Sequence, residues 1–138
     1  TAGGRQVFLS SVATAAGQTV NLTPLTDLVV DYIVHEGIAV QDSIALEIPD
    51  NLAVGRRDPL ALISDVDALD LSGVDAVVLS ACVQMPSLPA IEAVQDKLGL
   101  PVITAATSTA RVMLQKLGLE PISVGAGFAL SDQFHPLH

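Results

Sequence analysis

The hydrophobic positions of the chain alternate between helical stripes and short apolar runs, and that rhythm predicts an α/β protein. It is clearest from Thr23 onward. Thr23 and Pro24 suit a helix start, Leu25, Leu28, Val29, Tyr32 and Ile33 recur at helical spacing, and Gly37 stops the helix. Ile38, Val40, Ile44, Leu46 and Ile48 share one parity, as one face of a strand does, with Asp42 breaking the pattern. Residues 49–57, PDNLAVGRR, read as a loop with a short turn of helix. Asp58-Pro59 caps a helix that turns Leu62, Ile63, Val66 and Leu69 inward and ends at Asp70–Gly73.

Ala76-Val77-Val78-Leu79 is a short apolar run suited to a strand buried on both faces. Ser87 offers an N-cap, Pro89 is tolerable in the first turn, and Leu88, Ile91, Val94 and Leu98 form the next stripe. Pro101–Thr104 is a further strand, Ala105–Ser108 a polar loop, and Ala110, Met113, Leu114 and Leu117 line a helix closed by Gly118. Ile122–Val124 reads as a last edge strand, and residues 125–138 as a tail that needs a partner surface or stays mobile. The start is less regular. Val7, Phe8, Leu9 and Val12 are assigned to a helix reaching about Ala16, with Thr19–Leu22 a short strand. The alternative makes Gln6–Leu9 the strand and the alanine-rich stretch a loop.

Short connections between alternating strands and helices imply parallel pairing. The expected fold is therefore an open parallel sheet of about four strands with helices on both faces, in one domain over residues 1–138. In such sheets ligands bind at the carboxyl ends of the strands. Cys82, the only cysteine in the chain, falls in the loop between a buried strand and a helix start. Backbone N–H groups at Val83 and Gln84 and the positive helix end would favour a thiolate and hold a carboxylate or enolate oxygen. The plainer role for Cys82 is a small buried hydrophobe.

Composition narrows the classes. The chain has 138 residues and a net charge of −9 with only six Lys and Arg, which argues against nucleic acid. No apolar run approaches the ~20 residues that a membrane-spanning helix needs. One cysteine excludes an internal disulfide, and three scattered histidines make no metal pattern. These features fit a soluble, cytoplasmic protein. Among other candidates, Asn51 reads alone as a turn residue, and Arg56-Arg57 as cations that steer a dianion or as a solvated pair with Asp58. Thr104, Thr107 and Ser108 would bind a carboxylate or cap a helix. Tyr32 is expected in the core, and His35 is expected only to favour the helix C-terminus.

The stretches VVLSACVQMPSLPAI and IALEIPDNLAVGRRDP together resemble the carboxyl-terminal part of the maleate cis-trans isomerases, in the aspartate/glutamate racemase superfamily. The resemblance runs from about Pro24 to Gly118. It implies one half of a two-half α/β enzyme, with the active site between halves and no cofactor. The first-half cysteine of the family adds to the double bond of maleate, and Cys82 matches the second-half cysteine that serves the opposite face as acid or base. Asn51 matches the asparagine that hydrogen-bonds a substrate carboxylate, with the N–H groups of Val83 and Gln84 doing the same. The chain departs from the pattern twice. The first-half cysteine is absent, and the family tyrosine is replaced by Leu25 in Thr23-Pro24-Leu25, or by Asn21 if Pro24-Leu25-Thr26 sets the register. Expected partners are maleate and either a second copy or an N-terminal half. The alternatives are an arylmalonate decarboxylase-like enzyme working with one cysteine, and an inert half-domain acting as an interaction module.

Overall fold

The computed structural model describes residues 5–10, 23–48, 51–80 and 87–134, with side chains over 26–48, 52–79 and 87–134. Among the described residues four strands, β1 (Arg5–Ser10), β2 (Ala39–Ala45), β3 (Ala76–Ser80) and β4 (Val102–Ile103), form one parallel sheet in the order β2-β1-β3-β4. The helices are α1 (Thr23–His35), α2 (Asn51–Arg56), α3 (Leu62–Asp65), α4 (Leu88–Leu98) and α5 (Ala105–Lys116). Single 3₁₀ turns flank α3 on both sides, at Pro59–Ala61 and Val66–Ala68.

Arg5–Ser10 is a strand, hydrogen-bonded to both β2 and β3, and the helix expected there does not form over those residues. Four consecutive apolar or small positions carry no period of their own, so only the sheet on either side decides their conformation. The strand expected at Thr19–Leu22 lies outside the described residues. The break at Asp42 has a cause: Gln6 pairs with Val40 and Val7 with Asp42, so Gln41 is an extra residue in β2. Beside this bulge the Asp42 carboxylate accepts from the Asp70 N–H at 2.8 Å, and the Gln41 amide donates to the Asp70 carboxylate at 3.0 Å.

The core lies between the sheet and the helices that follow β2 and β3. Val54, Leu62, Val66, Val77, Leu79, Ile91, Val94 and Val102 are essentially inaccessible. Each such side chain contributes about 1.5–3 kcal/mol by leaving water. Asp58 caps the first 3₁₀ turn by accepting from the Leu60 N–H at 2.9 Å. Arg57 pairs with Asp65 instead of with Asp58. The carboxylate of Asp58 is committed to its own turn, while Asp65 faces Arg57 one element further on.

Two helical faces differ from the stripes read in the sequence. Tyr32 is 66% exposed and no core aromatic; Leu28 beside it is 64% exposed. A stripe says that a face is apolar, not that this chain covers it. On α5 the buried residues are Thr107 and Arg111, while Met113 and Leu117 face outward. The cause is the helix start. Ala105–Ser108 is the first turn of α5 and no loop, because Thr104 and Thr107 form a capping box: each N–H is accepted by the other's hydroxyl, at 3.1 and 3.0 Å. That start sets which side of the helix meets the sheet.

Residues 122–124 form no strand; the Ser123 N–H donates to the Leu130 carbonyl at 2.8 Å within a folded-back segment. Residues 125–134 are no free tail either. Ala126, Ala129 and Leu130 are buried, and a 3₁₀ turn at Phe128–Leu130 runs beside β4. Gly127 makes this approach possible. It has φ +70°, and a Cβ built there would stand 2.2 Å from Ile91 Cγ2 and 3.3 Å from the Val102 carbonyl oxygen. Gly127→Ala is therefore expected to cost about 2–4 kcal/mol from overpacking plus left-handed strain. A lowered denaturant midpoint at unchanged slope would register it.

Candidate active site at the carboxyl edge of the sheet

The sheet order locates the cleft. β1 connects to β2 on one side and β3 to β4 on the other, so β1 and β3 are the adjacent pair whose connections diverge. A crevice opens above the carboxyl ends of such a pair. Ser10 of β1 is level with Ala45 of β2 and with Ser80 of β3, so three strands end on one line. Cys82 follows Ser80 by two positions in sequence, and Asn51 opens α2 six positions after Ala45.

Cys82, Val83 and Gln84 lie outside the described residues, as do Asn21 and the expected strand around it. Asn51 is placed by its backbone alone, as the first residue of α2, which turns the expected loop 49–57 largely into helix. Its neighbours Leu52 and Arg56 are exposed, and Val54 anchors the short helix in the core.

On the β4 side the residues are fully described. Thr104 and Thr107 are buried and satisfy one another, so the hydroxyls read as carboxylate ligands or caps are caps. Ser87, by contrast, occupies the N-cap position of α4 in a helical conformation and makes no side-chain capping bond. Its carbonyl accepts from Ala90 N–H at 2.9 Å, and Pro89 has no N–H to satisfy. Thus the start of α5 is closed by its capping box, and among the described residues α4 begins without a side-chain cap. Between the two helix starts lies a cavity of ≈ 340 Å³, lined by Ser87, Leu88 and Ile91 of the α4 side, Thr104 and Thr107 of the α5 side, and Leu130 among others. Leu88, expected inward, borders this space and is half exposed.

Among the described residues no His, Cys, Asp and Glu grouping could hold a metal ion. No helix among them is long and apolar enough to cross a membrane. His35 stands at the end of α1 beside Glu36, at 3.8 Å and exposed. The bulge at Gln41 ties the amino-terminal part of β2 to the approach of β3, at the end of the strands away from the carboxyl edge.

Comparison with known proteins follows this geometry. No family model matches the chain. Maleate isomerase of Geobacillus stearothermophilus is 59% identical over 113 residues, which is 82% of this chain and 45% of that protein. The corresponding enzyme of Pseudomonas putida is 58% identical over the same shares. The chain thus spans about half the length of the curated relatives it matches. Among solved structures, maleate isomerase Iso from Pseudomonas putida S16 superposes with TM-score 0.81 at 45% identity, covering 94% of this chain and 49% of that one. A cysteine-to-serine variant of the Nocardia farcinica enzyme, holding a covalently bound succinylcysteine intermediate, superposes at 0.77 and 38% identity, with shares of 91% and 48%. Arylmalonate decarboxylase, at 19% identity and TM-score 0.73 over 93% of this chain and 53% of its own, shares the fold. Sequence and fold together place this chain among the maleate cis-trans isomerases, as their carboxyl-terminal part.

Proposed function

We propose that this chain forms the second half of a cofactor-independent maleate cis-trans isomerase, one half of a racemase-like fold whose cleft is completed by a first half. The observation that carries this reading is the strand order: the Cys82 loop leaves β3 at the divergence of β1 and β3, and the segment opening with Asn51 leaves the neighbouring β2. In the reaction a thiolate of the first half adds to one alkene carbon of maleate, and the electron pair moves onto the adjacent carbon and its carboxylate. Cys82 gives its proton to that carbon, producing a succinyl thioether; the succinylcysteine held by the Nocardia farcinica variant is of this kind. Rotation about the new single bond, return of the proton to the Cys82 thiolate and cleavage of the carbon–sulfur bond release fumarate. N–H groups of Val83 and Gln84 and the Asn51 amide hold the carboxylate on which charge develops.

The setting is cytoplasmic, and the pairing surface is the apolar face of α1 around Leu28 and Tyr32, in a homo-oligomer or against the first half. Asn51→Ala in the complete enzyme is expected to lower kcat/KM for maleate about 10- to 100-fold, the worth of a hydrogen bond to a charged group. Unchanged steady-state kinetics would remove Asn51 from the site. A second reading, decarboxylation with protonation by one cysteine, needs no thiol besides Cys82. It predicts turnover of an arylmalonate that survives loss of any other cysteine.

A further inference from the structure

The start of α4, the helix that follows the Cys82 loop, has no side-chain cap, yet Ala90 and Ile91 in its first turn are fully buried. Besides the core beneath it, part of what holds it comes from the other end of the chain. Gly127 lies against Ile91, the Gly125 N–H donates to Glu92 Oε1 at 3.1 Å, and the Phe128 N–H donates to Gln95 Oε1 at 3.1 Å. The segment 123–134 is thus a strap laid along α4. Its other edge is gripped by Arg111 of α5. The guanidinium donates to the Ala129 carbonyl at 2.8 Å and to the Phe134 carbonyl at 3.3 Å, and lies 4.0 Å above the Phe134 ring. Phe134 in turn meets Phe128 edge to face at 5.6 Å.

Arg111 is nine-tenths buried and makes no ion pair with a carboxylate among the described residues, and its Nε has no partner. An apolar side chain would fill this position without the desolvation that a buried cation suffers. What the guanidinium adds is direction: two carbonyls and one ring face are fixed at once, a geometry a planar fork supplies.

We propose that Arg111 is a positioning residue: through the strap it fixes the first turn of α4, and with it the helix end that the Cys82 loop runs into. The inference rests on the proposed role of Cys82 only for its consequence at the thiol. Four residues separate Cys82 from Ser87, so a shift of α4 alters the field of helix N–H groups that the loop meets.

The test uses the 138-residue chain, in which Cys82 is the only thiol. In Arg111→Met, kept well below its unfolding midpoint, the amides of Ile91–Val94 are expected to exchange about tenfold faster or more, while those of α1 are unchanged. The pH midpoint for alkylation of Cys82 should move toward the ~8.5 of a free cysteine. Arg111→Lys, which keeps one donor for the carbonyls, should restore part of both effects. Glu92→Ala releases the strap from its other edge at an exposed position and should act in the same direction, so it decides the matter if Arg111→Met does not fold. Unaltered α4 exchange in a folded Glu92→Ala or Arg111→Met chain overturns the proposal. A Cys82 that resists alkylation in the folded wild-type chain would instead overturn the catalytic reading, and α4 exchange would still decide the role of the strap.

Discussion

Cys82→Ser, introduced into a complete isomerase that contains this chain, is expected to slow maleate-to-fumarate conversion by about 100- to 10,000-fold, the usual worth of a positioned proton donor and acceptor. A serine hydroxyl has the size to sit there but neither gives nor takes a proton near neutral pH. The loss should fall on kcat more than on KM, because the N–H groups and Asn51 that are proposed to hold the carboxylates are untouched. Addition of the first-half thiolate does not require Cys82, and with water as a slow source of the proton for the adjacent carbon the variant should accumulate the succinyl thioether when mixed with maleate. Proton NMR follows turnover, and mass spectrometry follows the adduct. Full activity in Cys82→Ser would return Cys82 to the role of a buried hydrophobe.

The 138-residue chain alone is expected to turn over maleate at less than about a thousandth of the rate of a two-cysteine enzyme, since general acid–base chemistry without the attacking thiolate leaves the alkene intact. Groups on opposite faces of a planar substrate are required, and one loop reaches only one face. The same chain should self-associate. Leu28 and Tyr32 leave an apolar face on α1 that water contacts directly, and a second copy or a first half would cover it. Size measurement in parallel with the NMR assay checks both statements, and Tyr32→Arg with Leu28→Glu should shift the chain toward monomer. Robust turnover by a monomer, lost in Cys82→Ser, would show that one cysteine suffices, and the two-cysteine mechanism would be replaced by the single-cysteine reading.

Much of the architecture was written in local chemistry. Thr23-Pro24 opening α1, Gly37 closing it, Asp58-Pro59 starting the next helical segment and the Val-Val-Leu run of β3 are each decided within a few residues by capping, fixed φ or β-branching. The resemblance of VVLSACVQMPSLPAI and IPDNLAVGRRDP is equally local, and it singles out Cys82 and Asn51 from the residues alone. Those two motifs carry the resemblance because loops at strand ends are short contiguous pieces of chain.

Other features needed the folded chain. Arg5–Ser10 is a strand because β2 and β3 offer it hydrogen bonds on both sides, a partnership made by residues more than 30 and 60 positions away. On α5 the capping box of Thr104 and Thr107 starts the inward face, and one turn further Arg111 is buried in place of the Met and Leu stripe that periodicity predicts. The glycine-rich end looked like a tail because none of its residues announces a structure by period. It folds because Arg111, Glu92, Gln95 and the gap above Ile91 supply from outside the donors, acceptors and space that the segment lacks. Sequence determined where elements begin and which loop carries the thiol, since capping and β-branching act over a few residues; only tertiary structure decided which faces are covered and what holds α4, because those depend on groups brought together from distant parts of the chain.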